Sequence, residues 1–137
     1  MQIALAEITH TPQVLSFFKH NLDRNNNGIY SEEFLCPLGI EAAIRRKQMI
    51  VAIVEGQVVG AFRFYKKKSS NTISLYQFAI SEIYRRQGLL KKMLKIINDL
   101  PILALCPIES EFNEYYYKSG WQLQEQNSQF NKWVIKC

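Results

Sequence analysis

The sequence has few of the residues that bind metals or form disulfide frameworks. Its 137 residues include only two histidines, His10 and His20, and three cysteines, Cys36, Cys106 and Cys137. None of them has the spacing of a metal-ligand set, and an odd number of distant cysteines is typical of free thiols in a reducing compartment. We therefore predict no metal site, no disulfide and a cytoplasmic location.

Long apolar runs and a large excess of one charge are also missing. Charged residues interrupt every apolar stretch before it reaches the length of a membrane helix, and the amino-terminal residues lack the pattern of a signal peptide. The net charge of +5 favours anionic partners but is modest. Apolar residues make up 47% of the chain, and it contains no repeat or linker. These features predict one folded domain over residues 1–137 and no membrane partner.

The apolar patterns predict a mixed α/β fold with the element order βααβββαβαββ. Residues 49–54 and 57–65 are β-rich runs separated by Glu55-Gly56, a hairpin signal, and residues 72–80 continue the meander. The other predicted strands cover residues 3–8, 102–106, 121–125 and 131–136. The predicted helices cover residues 11–21, residues 31–47 with a break at Pro37 and Gly39, residues 89–97, and residues 109–118 with a left-handed cap at Gly120.

The segment after the strand at residues 72–80 has the composition of a phosphate-binding loop. Two arginines, a glutamine and Gly88 lead into an amphipathic helix with three lysines outside its apolar stripe. A helix amino terminus offers unpaired backbone N–H groups and the positive end of the helix dipole, and a glycine lets a phosphate approach them. The pattern therefore predicts a site for a pyrophosphate.

The run from Ile80 to Leu90 resembles the acetyl-CoA-binding segment of the GNAT superfamily of N-acetyltransferases. In that family an apolar strand end precedes the pattern Arg/Gln-x-x-Gly-x-Gly/Ala. Arg85 and Gly88 match it, and Leu90 stands where Gly or Ala is usual. A second segment, Tyr116-Tyr117-Lys118-Ser119-Gly120-Trp121, is similar to the family's Tyr-x-x-x-Gly-Phe helix end. The predicted element order also resembles the GNAT fold over nearly the whole chain.

The resemblance implies a central mixed, mostly antiparallel sheet with flanking helices, in which acetyl-CoA lies between two splayed parallel strands at residues 76–80 and 102–106. The pantetheine arm is expected to bond to the backbone of the first strand, and the pyrophosphate to lie on the N–H groups of the loop and helix start. The implied cofactor-binding residues are Phe78, Ala79, Ile80, Arg85, Arg86, Gln87, Gly88, Leu89, Leu90 and Lys91.

The resemblance also implies direct attack of an amine on the thioester, with Tyr116 as the general acid that protonates the departing thiolate. Tyr115 and Tyr117 adjoin it, so a shift of one residue would move this role. Glu109 stands where the family often has an asparagine that touches the cofactor, and we interpret it as a first-turn helix carboxylate. Cys106 is expected to be a buried, inert cysteine.

The strand at residues 72–80 has no acidic residue, and Gln77 cannot act as a base, so we expect a water or no dedicated base. The implied partners are acetyl-CoA and an amine: a small amine, a polyamine, or a protein lysine or amino terminus. In the family, segments corresponding to residues 23–41 and 124–132 enclose the acceptor. The acidic residues of the first segment, Asp23, Glu32, Glu33 and Glu41, would suit a cationic amine.

Other functions stay open at this point. Residues 23–28 place oxygen side chains and a glycine as an EF-hand calcium loop does, but Phe34 occupies the position of the bidentate glutamate. A nucleic-acid-binding domain would need a basic stripe with interleaved aromatic residues, which the sequence lacks. A catalytically silent acetyl-CoA sensor is a further alternative, and a monomer and a homodimer are both compatible with the sequence.

Overall fold

The computed structural model of the protein describes residues 1–21, 36–97 and 99–136. One seven-stranded sheet has the strand order β1-β2-β3-β4-β5-β7-β6. Its strands are β1 (Gln2–Leu5), β2 (Met49–Val54), β3 (Gln57–Lys67), β4 (Thr72–Ile80), β5 (Ile102–Pro107), β6 (Gln122–Gln126) and β7 (Phe130–Ile135). The helices are α1 (Thr11–Asn21), α2 (Pro37–Arg45), α3 (Leu89–Leu94) and α4 (Phe112–Lys118), with 3-10 turns at Ile8–His10, Glu82–Tyr84 and Lys95–Ile97. The predicted order of helices and strands is confirmed.

Two predicted boundaries near the amino terminus are wrong. Strand β1 ends at Leu5, whereas the predicted strand continued to Ile8. Ile8 instead begins a 3-10 turn, Ile8–His10, next to which the His10 ring accepts the Glu7 N–H at 2.9 Å. The predicted break at Gly39 does not occur, because α2 runs through it. Pro37 is the first residue of this helix, where the missing N–H of proline costs no hydrogen bond. Residues 31–35 of the predicted helix lie outside the described residues.

Helix α4 begins three residues later than predicted. Its first residue is Phe112, and the Ser110 N–H donates to the Pro107 carbonyl in a turn before it. The Asn113 side chain then approaches the carbonyls of Pro107 and Ile108 at 2.8 and 3.1 Å. These bonds hold the preceding residues in a turn, so Glu109 is not the first-turn helix carboxylate that was expected.

Strand β4 is where the sheet divides. It pairs with β3 up to Ile80, but it pairs in parallel with β5 only from Ile73 to Leu75. Beyond Ala104, β5 stays paired with β7 up to Pro107. The two parallel strands therefore splay apart, as the resemblance implied, and leave a cleft that starts after Leu75 and Ala104.

A β-bulge in β4 lies at the apex of this cleft. Phe64 pairs with Leu75 and Arg63 pairs with Gln77, so Tyr76 is the extra residue of the bulge. An extra residue reverses the alternation of side chains along a strand. Leu75 and Phe78 consequently contribute to the same core, although three positions separate them.

The sheet separates two cores. One core holds α3, α4 and the side chains that face them, with Phe62, Met93 and Ile102 fully buried. The other lies under α1 and α2, with Phe18 and Ile40 fully buried. None of the helices in the described ranges has the length and apolar character that a membrane crossing requires.

Gly60 lets α3 pack tightly on β3. A Cβ at this position would lie 3.1 Å from both Ile80 Cδ1 and Met93 Sδ, and 3.4 Å from Leu89 Cδ2. These distances are shorter than ordinary van der Waals contacts, so a larger residue at position 60 requires the side chains of Ile80, Met93 and Leu89 to shift.

We predict opposite effects of filling two glycines. Gly60→Val should lower the free energy of unfolding by about 1–3 kcal/mol through overpacking. Gly39→Ala should raise it by about 0.5–1 kcal/mol, because Gly39 lies inside α2 and its new Cβ would make ordinary contacts of 3.8 Å and more. Urea denaturation of both variants measures these changes. Equal destabilisation by both would contradict the close approach of α3 to Gly60.

Candidate active site

The wall of the cleft is the backbone of β4. The Ser81 N–H donates to the Val59 carbonyl of β3, and the Ile73 N–H donates to Pro101 on the opposite side. In an antiparallel ladder these directions alternate along the strand. The backbone groups of Phe78 and Ile80 therefore face the cleft, whereas those of Ala79 face Ala61 of β3. Of the three strand residues predicted to contact a cofactor, two present their backbone to the cleft.

The loop at the mouth of the cleft has an unusual backbone. Arg86 and Gly88 both have positive φ, +64° and +74°. The Arg85 N–H donates to Glu82, and the next bonded N–H is that of Lys92, which donates to Gly88. Between them, the described part of the chain offers the N–H groups of residues 86–91 no backbone acceptor. This arrangement can bind an anion such as a pyrophosphate.

Two loop side chains bond to the loop's own backbone. The Arg85 Nε donates to the Ile80 carbonyl at 2.9 Å, and the Gln87 Nε2 donates to the Ile83 carbonyl at 2.8 Å. Arg85 therefore joins the loop to the end of β4 and occupies one of the carbonyls that face the cleft. Leu89 and Leu90, which were among the predicted cofactor residues, have side chains buried in the core. Only the backbone N–H groups of these two residues could therefore contact a cofactor.

The carboxyl end of α4 forms a Schellman cap. The Trp121 N–H donates to the Tyr116 carbonyl at 3.0 Å, and Gly120 has φ +88°. The rings of Tyr116 and Trp121 pack edge to face with centroids 5.1 Å apart. The predicted left-handed cap is confirmed, and the cap explains physically why tyrosine, glycine and an aromatic residue have this spacing.

The three consecutive tyrosines have different surroundings. Tyr116 is 3% exposed and stacks on Trp133, with ring centroids 5.9 Å apart, whereas Tyr117 is 75% exposed. The rings of Tyr115 and Tyr116 lie 6.1 and 6.3 Å from that of Phe78, the strand residue at the cleft. The alternative to Tyr116 at this cleft is therefore Tyr115 and not Tyr117.

Burial determines the protonation of the groups near the cleft. It raises the pKa of the Tyr116 phenol well above its ordinary value, and it also raises that of Tyr115, against a hydrogen bond from Ser119 that lowers it. Burial raises the pKa of the Cys106 thiol as well, while a hydrogen bond to Ser110 lowers it. All three groups remain protonated at neutral pH. Cys106 is fully buried, as predicted.

Asn113 is a site residue that the sequence did not single out. Its Oδ1 accepts hydrogen bonds from Asn131 Nδ2 and Trp133 Nε1, both at 2.9 Å. Its Nδ2 approaches the carbonyls at the end of β5. Asn113 thus fixes α4, which carries the tyrosines, to β5 and β7 on either side. An asparagine near a helix start is a known signal of local backbone bonding, but its long-range partners cannot be predicted from it.

The burial of Gln77 was not predicted from the sequence. It is 3% exposed, and neither amide atom of its side chain has a hydrogen-bond partner within the described residues. It pairs with Arg63, whose guanidinium lies beside α2, so Gln77 faces the α1–α2 side of the sheet. A buried amide without partners carries a cost in stability.

The strand order, the splayed cleft and the loop after β4 together define an acetyltransferase type of α/β fold. Residues 16–99, more than half of the chain, match the Acetyltransferase (GNAT) family. The protein belongs to this family, which confirms the resemblance seen in the sequence. The sequence matches none of the curated proteins.

Solved structures agree on the fold. The PaiA N-acetyltransferase of Thermoplasma acidophilum, in complex with coenzyme A, is 16% identical with a TM-score of 0.77, over 99% of this chain and 98% of that one. The yncA protein of Salmonella typhimurium, with acetyl-CoA, is 13% identical with a TM-score of 0.74, over 99% and 93%. The diaminobutyrate acetyltransferase EctA of Paenibacillus lautus is 16% identical with a TM-score of 0.68, over 98% and 93%.

We predict that Gln77→Met raises the free energy of unfolding by about 1–3 kcal/mol, because it removes an unpaired buried amide at nearly constant volume. Gln57→Met, at the exposed start of β3, is the matched control and should change stability by no more than about 0.5 kcal/mol. Thermal and urea denaturation measure both. A loss of stability in Gln77→Met would mean that the amide is bonded in the folded protein.

Proposed function

We propose that the protein is an N-acetyltransferase that transfers the acetyl group of acetyl-CoA to a primary amine. The observation that carries the proposal is the cleft between β4 and β5. The cleft opens onto a loop whose N–H groups at residues 86–91 have no backbone acceptor among the described residues. Membership of the GNAT family supports it, as do the coenzyme A and acetyl-CoA bound in the PaiA and yncA structures.

The loop fits the diphosphate of the cofactor. In our proposal the N–H groups of residues 86–91 bind the phosphate oxygens, and Arg86 and Lys91 supply positive charge. Gly88 has no heavy atom within 4 Å of the position of a Cβ, so its surface is open to a ligand. Its positive φ aligns the loop with the start of α3. Metal assistance is not part of the proposal.

The backbone of β4 fits an extended ligand with amide groups. Phe78 N–H and C=O and the Ile80 N–H face the cleft, where β5 no longer pairs with them. We propose that these groups bond to the pantetheine arm as a neighbouring strand would. Ala79 pairs with Ala61 of β3 and keeps Phe78 and Ile80 in register at the cleft. Arg85 is a positioning residue, because its Nε donates a hydrogen bond to the Ile80 carbonyl.

When bound, acetyl-CoA supplies an acetyl group that is already activated as a thioester. The protein's residues then need to orient the amine, exclude water and provide a proton for the leaving sulfur. We assign the proton to the Tyr116 hydroxyl. The raised pKa of this buried phenol keeps the proton on its oxygen at neutral pH, which is the state a general acid requires.

Cofactor binding is tested by thermal unfolding and calorimetry. Acetyl-CoA at about 100 times its Kd should stabilise the folded protein by about 2.7 kcal/mol. Gly88→Val should raise the Kd by about 10-fold or more, because a hydrogen bond to a charged group contributes about 1.5–3 kcal/mol. Gly56→Val is the matched control, since Gly56 also has positive φ (+77°) and open space but lies in the β2–β3 turn. Unchanged affinity in a folded Gly88→Val protein would remove the loop from the site.

Catalysis is tested separately at the tyrosines. Tyr116→Phe should lower kcat on the order of 10²-fold with little effect on acetyl-CoA binding, because the hydroxyl acts mainly in the transition state. Thiol release from acetyl-CoA with a panel of amines measures kcat. Tyr117→Phe, at an exposed position, should behave as wild type. If Tyr115→Phe lowers kcat and Tyr116→Phe does not, the general acid is Tyr115 and not Tyr116. Binding without thiol release for every amine would favour a silent sensor.

A further inference from the structure

One half of the sheet has a face that the helices in the described residues do not cover. Among the described residues, the core under α1 and α2 contains side chains of β2, β3 and β4 but none of β5 or β7. We call this part the open face. It contains a groove of about 200 Å³, whose lining includes three apolar side chains, two lysines and one carboxylate: Leu103, Leu105, Phe130, Lys67, Lys132 and Glu125. Its neighbours along β5, Ala104 and Cys106, point to the opposite core, which places the groove on the α1–α2 side.

The groove reaches the apex of the cleft. Ser74 and Leu103 form the middle of the three parallel pairs between β4 and β5. Leu105 is the first residue of β5 after the last pair. Leu105 is 61% exposed although it sits in the middle of the sheet. The opposite face is filled by α3 and α4, so the open face gives a second reactant access to the point where the strands separate.

The groove combines an apolar floor with positive charge. Leu103, Leu105 and Phe130 form the floor. Within the described ranges, Lys67 has no carboxylate within ion-pair distance, and the Lys132 Nζ is 4.0 Å from a Glu125 oxygen, at the limit of an ion pair. Glu125 also lines the groove, and its side chain is largely exposed to solvent. Two lysines with one weakly bound carboxylate leave the groove positive.

Charge continues from the groove towards α2 along β3. The Lys67 Nζ lies 5.9 Å from the Tyr65 ring, Tyr65 contacts Tyr76 edge to face, and the Arg63 guanidinium lies 5.3 Å from the Tyr76 ring. These cations lie against aromatic rings and none forms an ion pair within the described residues. The open face therefore suits a ligand with negative charge better than a polycation.

We propose that the acceptor is a small amine that also carries a carboxylate, an inference that rests on the acetyltransferase function proposed above. Lys67 and Lys132 bind the carboxylate, the apolar floor contacts the carbon chain, and the amine reaches the apex of the cleft. In the transfer, the amine nitrogen bonds to the acetyl carbon, the carbon–sulfur bond breaks, and in net terms one proton moves from nitrogen to sulfur. The products are an acetamide and the thiol of coenzyme A.

The acidic residues of segment 23–41 had suggested a cationic amine as the acceptor, and an amine with a carboxylate is a different class of acceptor. Of those residues, Glu41 pairs with Arg45 at 2.7 Å on the exposed side of α2, so its charge is already neutralised. The other three lie outside the described residues. The groove at the apex of the cleft is lined by two lysines and one carboxylate, and its charge is therefore positive.

Matched amines test the proposal. β-Alanine, γ-aminobutyrate and ε-aminocaproate are compared with alkylamines of equal chain length, and thiol release gives kcat/KM for each. The best amino acid should exceed its alkylamine by about 10-fold or more, and this preference should fall as salt screens the lysines. Equal values for every matched pair would overturn the proposal. If the protein binds acetyl-CoA but none of the amines causes thiol release, both this proposal and the proposed transferase function would be overturned.

Lysine variants locate the preference. In the double variant Lys67→Gln/Lys132→Gln, kcat/KM for the best amino acid should fall by about 10-fold or more, to about the value of its matched alkylamine. Lys118→Gln is the matched control, because Lys118 is an exposed lysine on α4 that pairs with Glu114. It should retain the full preference. A preference that survives in the double variant would show that the carboxylate binds elsewhere and would overturn the assignment of this groove.

Discussion

The hydrogen bonding of strand β4 determines where the sheet divides and where the cleft forms. Strand β4 is bonded to β3 along its whole length but to β5 over only three residue pairs. Backbone N–H and C=O groups that lose one partner must find another. The backbone of Phe78 and Ile80 beyond the last β5 pair is therefore a cost of this fold, and it is also what the proposed binding of an extended amide ligand would use. The bulge at Tyr76, the Arg85 bond to Ile80 and the loop geometry all occur next to this change.

Local signals in the sequence predicted the elements better than their contacts. The periodicity of residues 89–97, the Glu55-Gly56 turn and the Gly120 cap each depend on a few neighbouring residues, and the structure agrees with them. The errors arose where packing or a distant hydrogen bond outweighs the local preference of a residue. Gly39 continues a helix because its neighbours bury apolar faces, and Asn113 delays α4 by bonding to β5. Such distant partners leave no periodic trace in the sequence.

The candidate site was predictable to the same extent. The loop from Arg85 to Gly88 follows from the arginines, the glycine and the helix pattern, because a phosphate cradle is built from consecutive residues. The alternating direction of β4, which separates Ala79 from Phe78 and Ile80, depends on pairing with β3. The packing of Tyr116 on Trp133 joins residues far apart in the chain, so its deep burial required the fold. Motif spacing identified the tyrosine but not its surroundings.

The short parallel seam between β4 and β5 also has a consequence for folding. The β2–β3–β4 meander is joined by tight turns, whereas the seam joins Leu75 to Ala104, about thirty residues apart. Contacts of small sequence separation form at a lower entropic cost than distant ones. The meander is therefore expected to form before the seam closes, although one core of side chains packs across both parts of the folded sheet. The seam ends at the same residues where the cleft begins. A ligand that bonds to the backbone of β4 beyond Leu75 would therefore add contacts where the two parts of the sheet are joined by the fewest hydrogen bonds.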